Sequence, residues 1–327
     1  MRPGLRNAIT DVGGIRVGQA QDLAVVTGVT VIVPDAPAVC AVDVRGGGPG
    51  TRETDALALN TLVDRVDAIV LSGGSVYGLA AADGVCAAIG QAGRGYRFPQ
   101  FGAEVPAAPV IPAAILFDLA NGGDKSWGED PPYRRLGRQA LEVAGVEVSQ
   151  GRAGAGFGAM AGQLPGGVGT ASIVTQDGLT IGAIAAVNSF GSVVAGDGRT
   201  FWAAPYEVDG EFGGRGSAGL TAAADDWGLS KASADGPVNT TLACIAVDAE
   251  LTKAEAQRIA VMAQDGMARA IRPIHAPFDG DVVFVLATGA KPLAEPRPLA
   301  VARLGAFAAD VLARAIARGV YEAQSQA

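Results

Sequence analysis

Asn239-Thr240-Thr241-Leu242-Ala243-Cys244-Ile245-Ala246-Val247, entered from Pro237-Val238, opens the C-terminal part of the chain. Its apolar, β-rich run predicts a strand over Leu242–Val247. A helix follows. Thr252 and Glu255 form a capping box, and Ala256, Ile259, Ala263, Met267 and Ala270 share one face. Pro273 ends that helix, and Val282–Ala287 is another strand. The chain closes with an amphipathic helix over Leu299–Val320, whose apolar face carries Val301, Leu304, Ala308, Val311, Leu312 and Ile316.

Working back from the junction, residues 196–237 are weakly patterned and rich in Gly, Ala and Asp. Such a stretch reads as a surface excursion, a lid or a processing segment. Thr170–Thr175 and Leu179–Asn188 read as strands joined by Gln176-Asp177-Gly178, a hairpin signal. Strands are also expected at Gly28–Pro34, Ala38–Val44 and Ala68–Leu71. Helices are expected over Thr54–Leu62, started by Thr51 or Thr54, over Ser75–Ile89 and over Leu136–Ala144. There is no tandem repeat. The order of strands and helices fits a layered α/β sandwich in one domain.

Composition narrows the function classes. The 327 residues are 49% hydrophobic and 18% charged, with 47 glycines, enough for a large buried core. A net charge of −8 without any Lys/Arg cluster argues against nucleic acid. Cys40, Cys86 and Cys244 sit in apolar runs and read as buried thiols; with His275 the single histidine, no zinc site is expected. The N-terminus shows no apolar signal core, and no run of about 18 apolar residues escapes a Gly, Pro or charge, so a cytoplasmic protein without a membrane span is expected.

Several motifs have plain readings. Gly154-Ala155-Gly156-Phe157-Gly158-Ala159 partly matches a dinucleotide fingerprint, but Gln163-Leu164-Pro165-Gly166-Gly167 cannot start the helix which that chemistry needs; tight turns are expected. Gly73-Gly74-Ser75-Val76-Tyr77-Gly78 misses the spacing of a nucleophile elbow, and Ser75 reads as a helix N-cap. Asp279-Gly280-Asp281 reads as a solvated turn unless a partner stands close. Asn239-Thr240 offers more. A threonine at a strand start can attack the preceding carbonyl, and hydrolysis of the resulting ester frees an α-amine. That amine titrates at about 7.7 and can serve its own hydroxyl as base, with no histidine required.

Taken in order, the motifs resemble the L-aminopeptidase D-amidase/D-esterase (DmpA) family, which includes the nylon-oligomer (6-aminohexanoate oligomer) endohydrolase. The resemblance covers nearly the whole chain. It is carried by residues 9–18, by 42–55 around Gly46-Gly47-Gly48-Pro49-Gly50, by Leu71-Ser72-Gly73-Gly74-Ser75 and by Gly151-Arg152-Ala153-Gly154-Ala155-Gly156. Asn239-Thr240-Thr241 and residues 271–281 complete it.

The resemblance implies a single-domain αββα sandwich, like the N-terminal-nucleophile hydrolases but differently connected. It implies autocleavage into 1–239 and 240–327, with Thr240 as nucleophile. Asn188 matches an asparagine near the nucleophile whose NH₂ could face an oxyanion. Asp279 and Asp281 match an acidic pair that would hold the new amine. Gln163, in Ala161-Gly162-Gln163, stands where the family often has lysine, and Tyr77 at a pocket-lining position.

The implied activity is a cofactor-free aminopeptidase or amidase acting on peptides, amides or esters with a free amine, assembled as a homo-tetramer of processed pairs. α-Peptides, β-peptides, D-amino acid amides and synthetic amide oligomers stay open as substrates. An acyltransferase of the ornithine-acetyltransferase type and an uncleaved binding protein are the alternatives.

Overall fold

Side chains alternate across each strand, so a strand that is apolar throughout needs cover on both faces. This chain meets the need with two sheets packed face to face and a helical layer outside each. The computed structural model describes residues 2–98, 100, 102, 104–231 and 239–326. In chain order the first strands are β1 (Ile15–Asp22), β2 (Thr27–Pro34), β3 (Ala38–Val44), β4 (Thr51–Arg52), β5 (Arg65–Val66) and β6 (Ile69–Ser72). Helix α1 (Ala81–Gln91), strand β7 (Ala113–Ile115) and helix α2 (Tyr133–Glu142) follow. Then come the short β8 (Met160–Ala161) and β9 (Leu164–Pro165), and the long β10 (Gly167–Val174) and β11 (Thr180–Asn188). The chain ends with β12 (Thr240–Ala249), α3 (Lys253–Ala270), β13 (Val282–Lys291) and α4 (Arg297–Ser325).

One sheet has the order β1-β2-β6-β7-β4 and the other β10-β11-β12-β13-β3-β5. Ile32, Leu71, Ile184, Leu242 and Phe284 fill the space between them. Val29, Val31 and Val70 meet α1 and α2 on the outer face of the first sheet. Ala243, Ile245 and Val283 meet α3 and α4 on the outer face of the second. The architecture is therefore the expected αββα sandwich. Helix α3 starts on the Thr252/Glu255 capping box read from the sequence. Helix α4 lies close on β10 because two glycines meet: a Cβ on Gly169 would stand 2.0 Å from the Ala315 carbonyl oxygen and 2.6 Å from Gly319 Cα. Among the described residues no helix is long and apolar enough to cross a membrane, and all three cysteines are free.

Three expectations need correction. Thr54–Leu62 is no α-helix; a single 3-10 turn covers Asp55–Leu57. Leu57 is buried in the inter-sheet core but Leu59 and Leu62 are exposed, so that segment has no continuous apolar face to dock. The Thr61 hydroxyl instead donates to the Ala56 and Ala58 carbonyls. Ser75 is not an N-cap: it lies inside a 3-10 turn at φ 52°, behind a left-handed Gly74. Residues 196–231 are not a plain surface excursion, since Phe201 and Phe212 are buried against α4 and Phe201 meets Tyr321 edge to face. The rest of the expected processing segment, 232–237, and Val238 lie outside the described residues.

Candidate active site

Strand alternation along β12 turns Leu242, Cys244 and Ala246 to the inter-sheet core, and Thr240 shares their parity. The register sets Thr240 opposite Asn188 on β11 and Leu242 beside Val282 on β13. Because β13 runs parallel to β12, its N-terminal lead-in, Asp279-Gly280-Asp281, lies alongside the start of β12. Asn239 and Asp279 form a parallel bridge there.

The carbonyl of Asn239 is gripped from two sides. The Thr240 hydroxyl donates to it in a short hydrogen bond, and the Gly280 amide donates to it at 3.1 Å. Glycine at 280 is a steric requirement. A Cβ there would stand 2.6 Å from Thr240 Oγ1 and 2.9 Å from the Gly48 carbonyl oxygen. Gly280→Ala is accordingly expected to displace the hydroxyl and to slow any reaction at this carbonyl by at least about tenfold, because a misplacement of a fraction of an ångström is costly at a reacting centre. Cleavage at the wild-type rate, followed by intact mass over time, would remove that requirement.

The two acids have different surroundings. Asp281 is buried and fully engaged: its Oδ1 accepts from the Thr241 amide at 2.8 Å, and its Oδ2 from the His275 amide at 3.1 Å, with His275 Nδ1 at 2.9 Å. His275 reaches it by adopting a left-handed φ of 59°. Asp279 is wholly buried, and neither of its carboxylate oxygens meets hydrogen-bond geometry with any described donor. Burial first, and the charge of Asp281 second, push its carboxyl up to about 7; the Ala276 and Phe190 amides and the Lys231 charge oppose this only in part. The glycine-rich loop clamps the pair from behind, Arg45 and Gly48 donating backbone N–H groups to the Asp281 and Asp279 carbonyls at 3.0 and 2.7 Å.

Lys231 completes the cluster. Its Nζ donates to Asn239 Oδ1 at 2.7 Å and lies 3.5 Å from the Asn188 carbonyl oxygen. Burial brings it down to about 8, against the attraction of Asp279. A cation and an acid beside one another, both near neutrality, can exchange protons cheaply with a reacting hydroxyl or amine.

The structure brings Thr240, Asn239, Asn188, Asp279 and Asp281 together. Asn188 is partly committed: its Oδ1 accepts from the Met160 amide at 2.9 Å and its Nδ2 donates to the Phe117 carbonyl at 3.0 Å. Gln163 stands one segment away, its Nε2 donating to the Ser230 carbonyl at 3.0 Å. Tyr77 is 48% exposed and packs on Trp127, with no described contact to Thr240. The sequence reading missed Lys231 and Gly280 and gave His275 no role. Lys231 sits in an unpatterned stretch and carries no local signal. Gly280 was legible only as a turn residue between the two aspartates.

An αββα sandwich whose buried site sets a hydroxyl and an amide on one carbonyl, beside a raised acid and a lowered amine, is suited to the hydrolysis of C–N bonds. The comparisons agree. The model of peptidase family S58 matches residues 7–327, and the chain belongs to that family. An uncharacterized aminopeptidase of Mycobacterium bovis is 45% identical over 97% of this chain and 94% of its own. A 6-aminohexanoate-oligomer endohydrolase of Kocuria sp. is 30% identical over 85% of this chain and 74% of its own. In fold, the chain is similar to the L-aminopeptidase D-Ala-esterase/amidase of Ochrobactrum anthropi, described as a variant of the Ntn-hydrolase fold. The TM-score is 0.72 at 19% identity, over 97% of this chain and 86% of that one.

Proposed function

We propose that the protein is a self-processing amide hydrolase in which Thr240 cuts the bond to Asn239 and then serves as N-terminal nucleophile. The observation that carries this reading is the Asn239 carbonyl, held between the Thr240 hydroxyl and the Gly280 amide. The hydroxyl oxygen attacks the carbonyl carbon, the Gly280 N–H stabilises the developing oxyanion, and Asp279 relays the hydroxyl proton to the departing nitrogen. The shift frees the α-amine of Thr240, and water then hydrolyses the ester, which restores the hydroxyl and parts the two pieces. A buried carboxylate with no well-formed hydrogen bond among the described residues is expensive, and the new ammonium supplies donors next to Asp279. In turnover that amine, at about 7.7 in its ordinary state, acts as base for the same hydroxyl.

Substrates are peptides, amides or esters with a free amine. In support, a cleft of about 420 Å³ is lined by Asp225, Asp226 and Trp227 and reaches Ser230, the neighbour of Lys231. Carboxylates and an indole face suit an ammonium group. A denaturing gel with intact mass tests the cleavage. Pieces of about 24 and about 9 kDa, scaled from 32.7 kDa by residue count, are expected, the smaller starting at Thr240. A stable chain of full mass that hydrolyses no amide would overturn the proposal.

A further inference from the structure

Asn239 is 2% exposed, yet its side chain is thinly satisfied. Lys231 Nζ donates to Oδ1 at 2.7 Å, and Nδ2 has no described partner. Lys231 itself is firmly placed. Its backbone N–H donates to the Phe190 carbonyl at 3.0 Å. The two residues before it are held by Gln163, whose backbone and side-chain amides donate to the Leu229 and Ser230 carbonyls at 2.8 and 3.0 Å. The ammonium is thus pinned relative to β11, whose Asn188 faces Thr240.

Cleavage makes an ester. The Thr240 Oγ–C bond forms, the C–N bond between the two residues breaks, and the hydroxyl proton ends on the freed nitrogen. That ester is an asparaginyl group on Thr240 Oγ. Turnover passes through the same linkage, with the acyl residue of the substrate in place of Asn239. The side chain of the acyl residue therefore lies where Asn239 lies, against Lys231. We propose that Lys231 reads that side chain, so that the mature enzyme favours acyl donors with a carbonyl group attached to the β carbon, asparaginyl donors first. A lysine fixed in a buried site rewards such an acceptor and leaves an unpaired cation against an alkyl group. The inference rests on cleavage at Thr240.

The test uses purified protein whose small piece begins at Thr240, with the p-nitroanilides of L-asparagine, L-leucine and L-alanine. In the wild type, kcat/KM for asparagine is expected to exceed that for leucine by at least about tenfold. In Lys231→Met the asparagine-to-leucine ratio is expected to fall to about one, whatever happens to each rate; a purely structural role would lower all three together. Should Lys231→Met remain one chain, the wild-type ratio alone decides. A cleaved wild type that handles leucine as well as asparagine, or a preference that survives Lys231→Met, overturns this inference alone. A wild-type chain that stays whole and hydrolyses none of the three overturns the cleavage reading with it.

Discussion

Thr240→Ala is expected to stay one chain of full mass and to lose amide hydrolysis by more than about 10³-fold, since it removes the attacking oxygen from both reactions. The substitution leaves the Gly280 amide on the Asn239 carbonyl, so the carbonyl remains polarised but nothing attacks it. It also leaves the backbone ladder of β12 against β11 in place, because the pairing of Thr240 with Asn188 is a main-chain register. The variant should therefore fold, and its circular dichroism should match that of the wild type. Thr240→Ser keeps the oxygen and is expected to cleave more slowly, because loss of the methyl frees the χ1 rotor that aims the hydroxyl. Intact mass and N-terminal sequencing distinguish the three proteins. Cleavage of Thr240→Ala at the same bond would sink the mechanism.

Asp279→Asn is the second large effect, expected to slow cleavage by roughly 10²–10⁴-fold, the range for loss of a positioned acid–base group. The wild-type rate should rise with pH through about 7, where burial and Asp281 have brought the Asp279 carboxyl. In the asparagine variant that rise should flatten. Stability moves the other way. The folded chain keeps the Asp279 proton up to about 7 while the unfolded chain releases it at about 3.8. Between these values the folded state binds more protons, and stability falls as pH rises. In a Thr240→Ala background, where no new amine forms, Asp279→Asn should raise Tm by several degrees at about pH 8 and by little at about pH 4. An Asp279→Asn protein that cleaves at the wild-type rate would remove Asp279 from the reaction, and a Tm gain independent of pH would contradict the raised carboxyl.

The strands over Ala38–Val44, Thr180–Asn188 and Thr240–Ala249 and the helices over Lys253–Ala270 and Arg297–Ser325 were legible from sequence. Each carries its own period and, for Lys253–Ala270, its own cap. Thr54–Leu62 failed because caps and composition propose a helix, whereas only an apolar face that finds a partner stabilises one. Tyr77 and Gln163 were placed by resemblance, and in the fold each turns to a local partner, Trp127 and Ser230.

By itself, then, the sequence determined the layered architecture through local periodicity, and the order of its motifs, through the family resemblance, marked the two ends of the candidate site, Asn239-Thr240 and Asp279-Gly280-Asp281; read alone, the second of these was only a turn. Tertiary structure alone decided that Gly280 grips the Asn239 carbonyl, that Asp279 is buried with no well-formed hydrogen bond to its carboxylate among the described residues, and that Lys231 is the cation beside them. Those three facts depend on the parallel register of β12 with β13 and on a segment folded back onto β11. They join residues far apart in sequence through burial and hydrogen bonding, which no window along the chain contains.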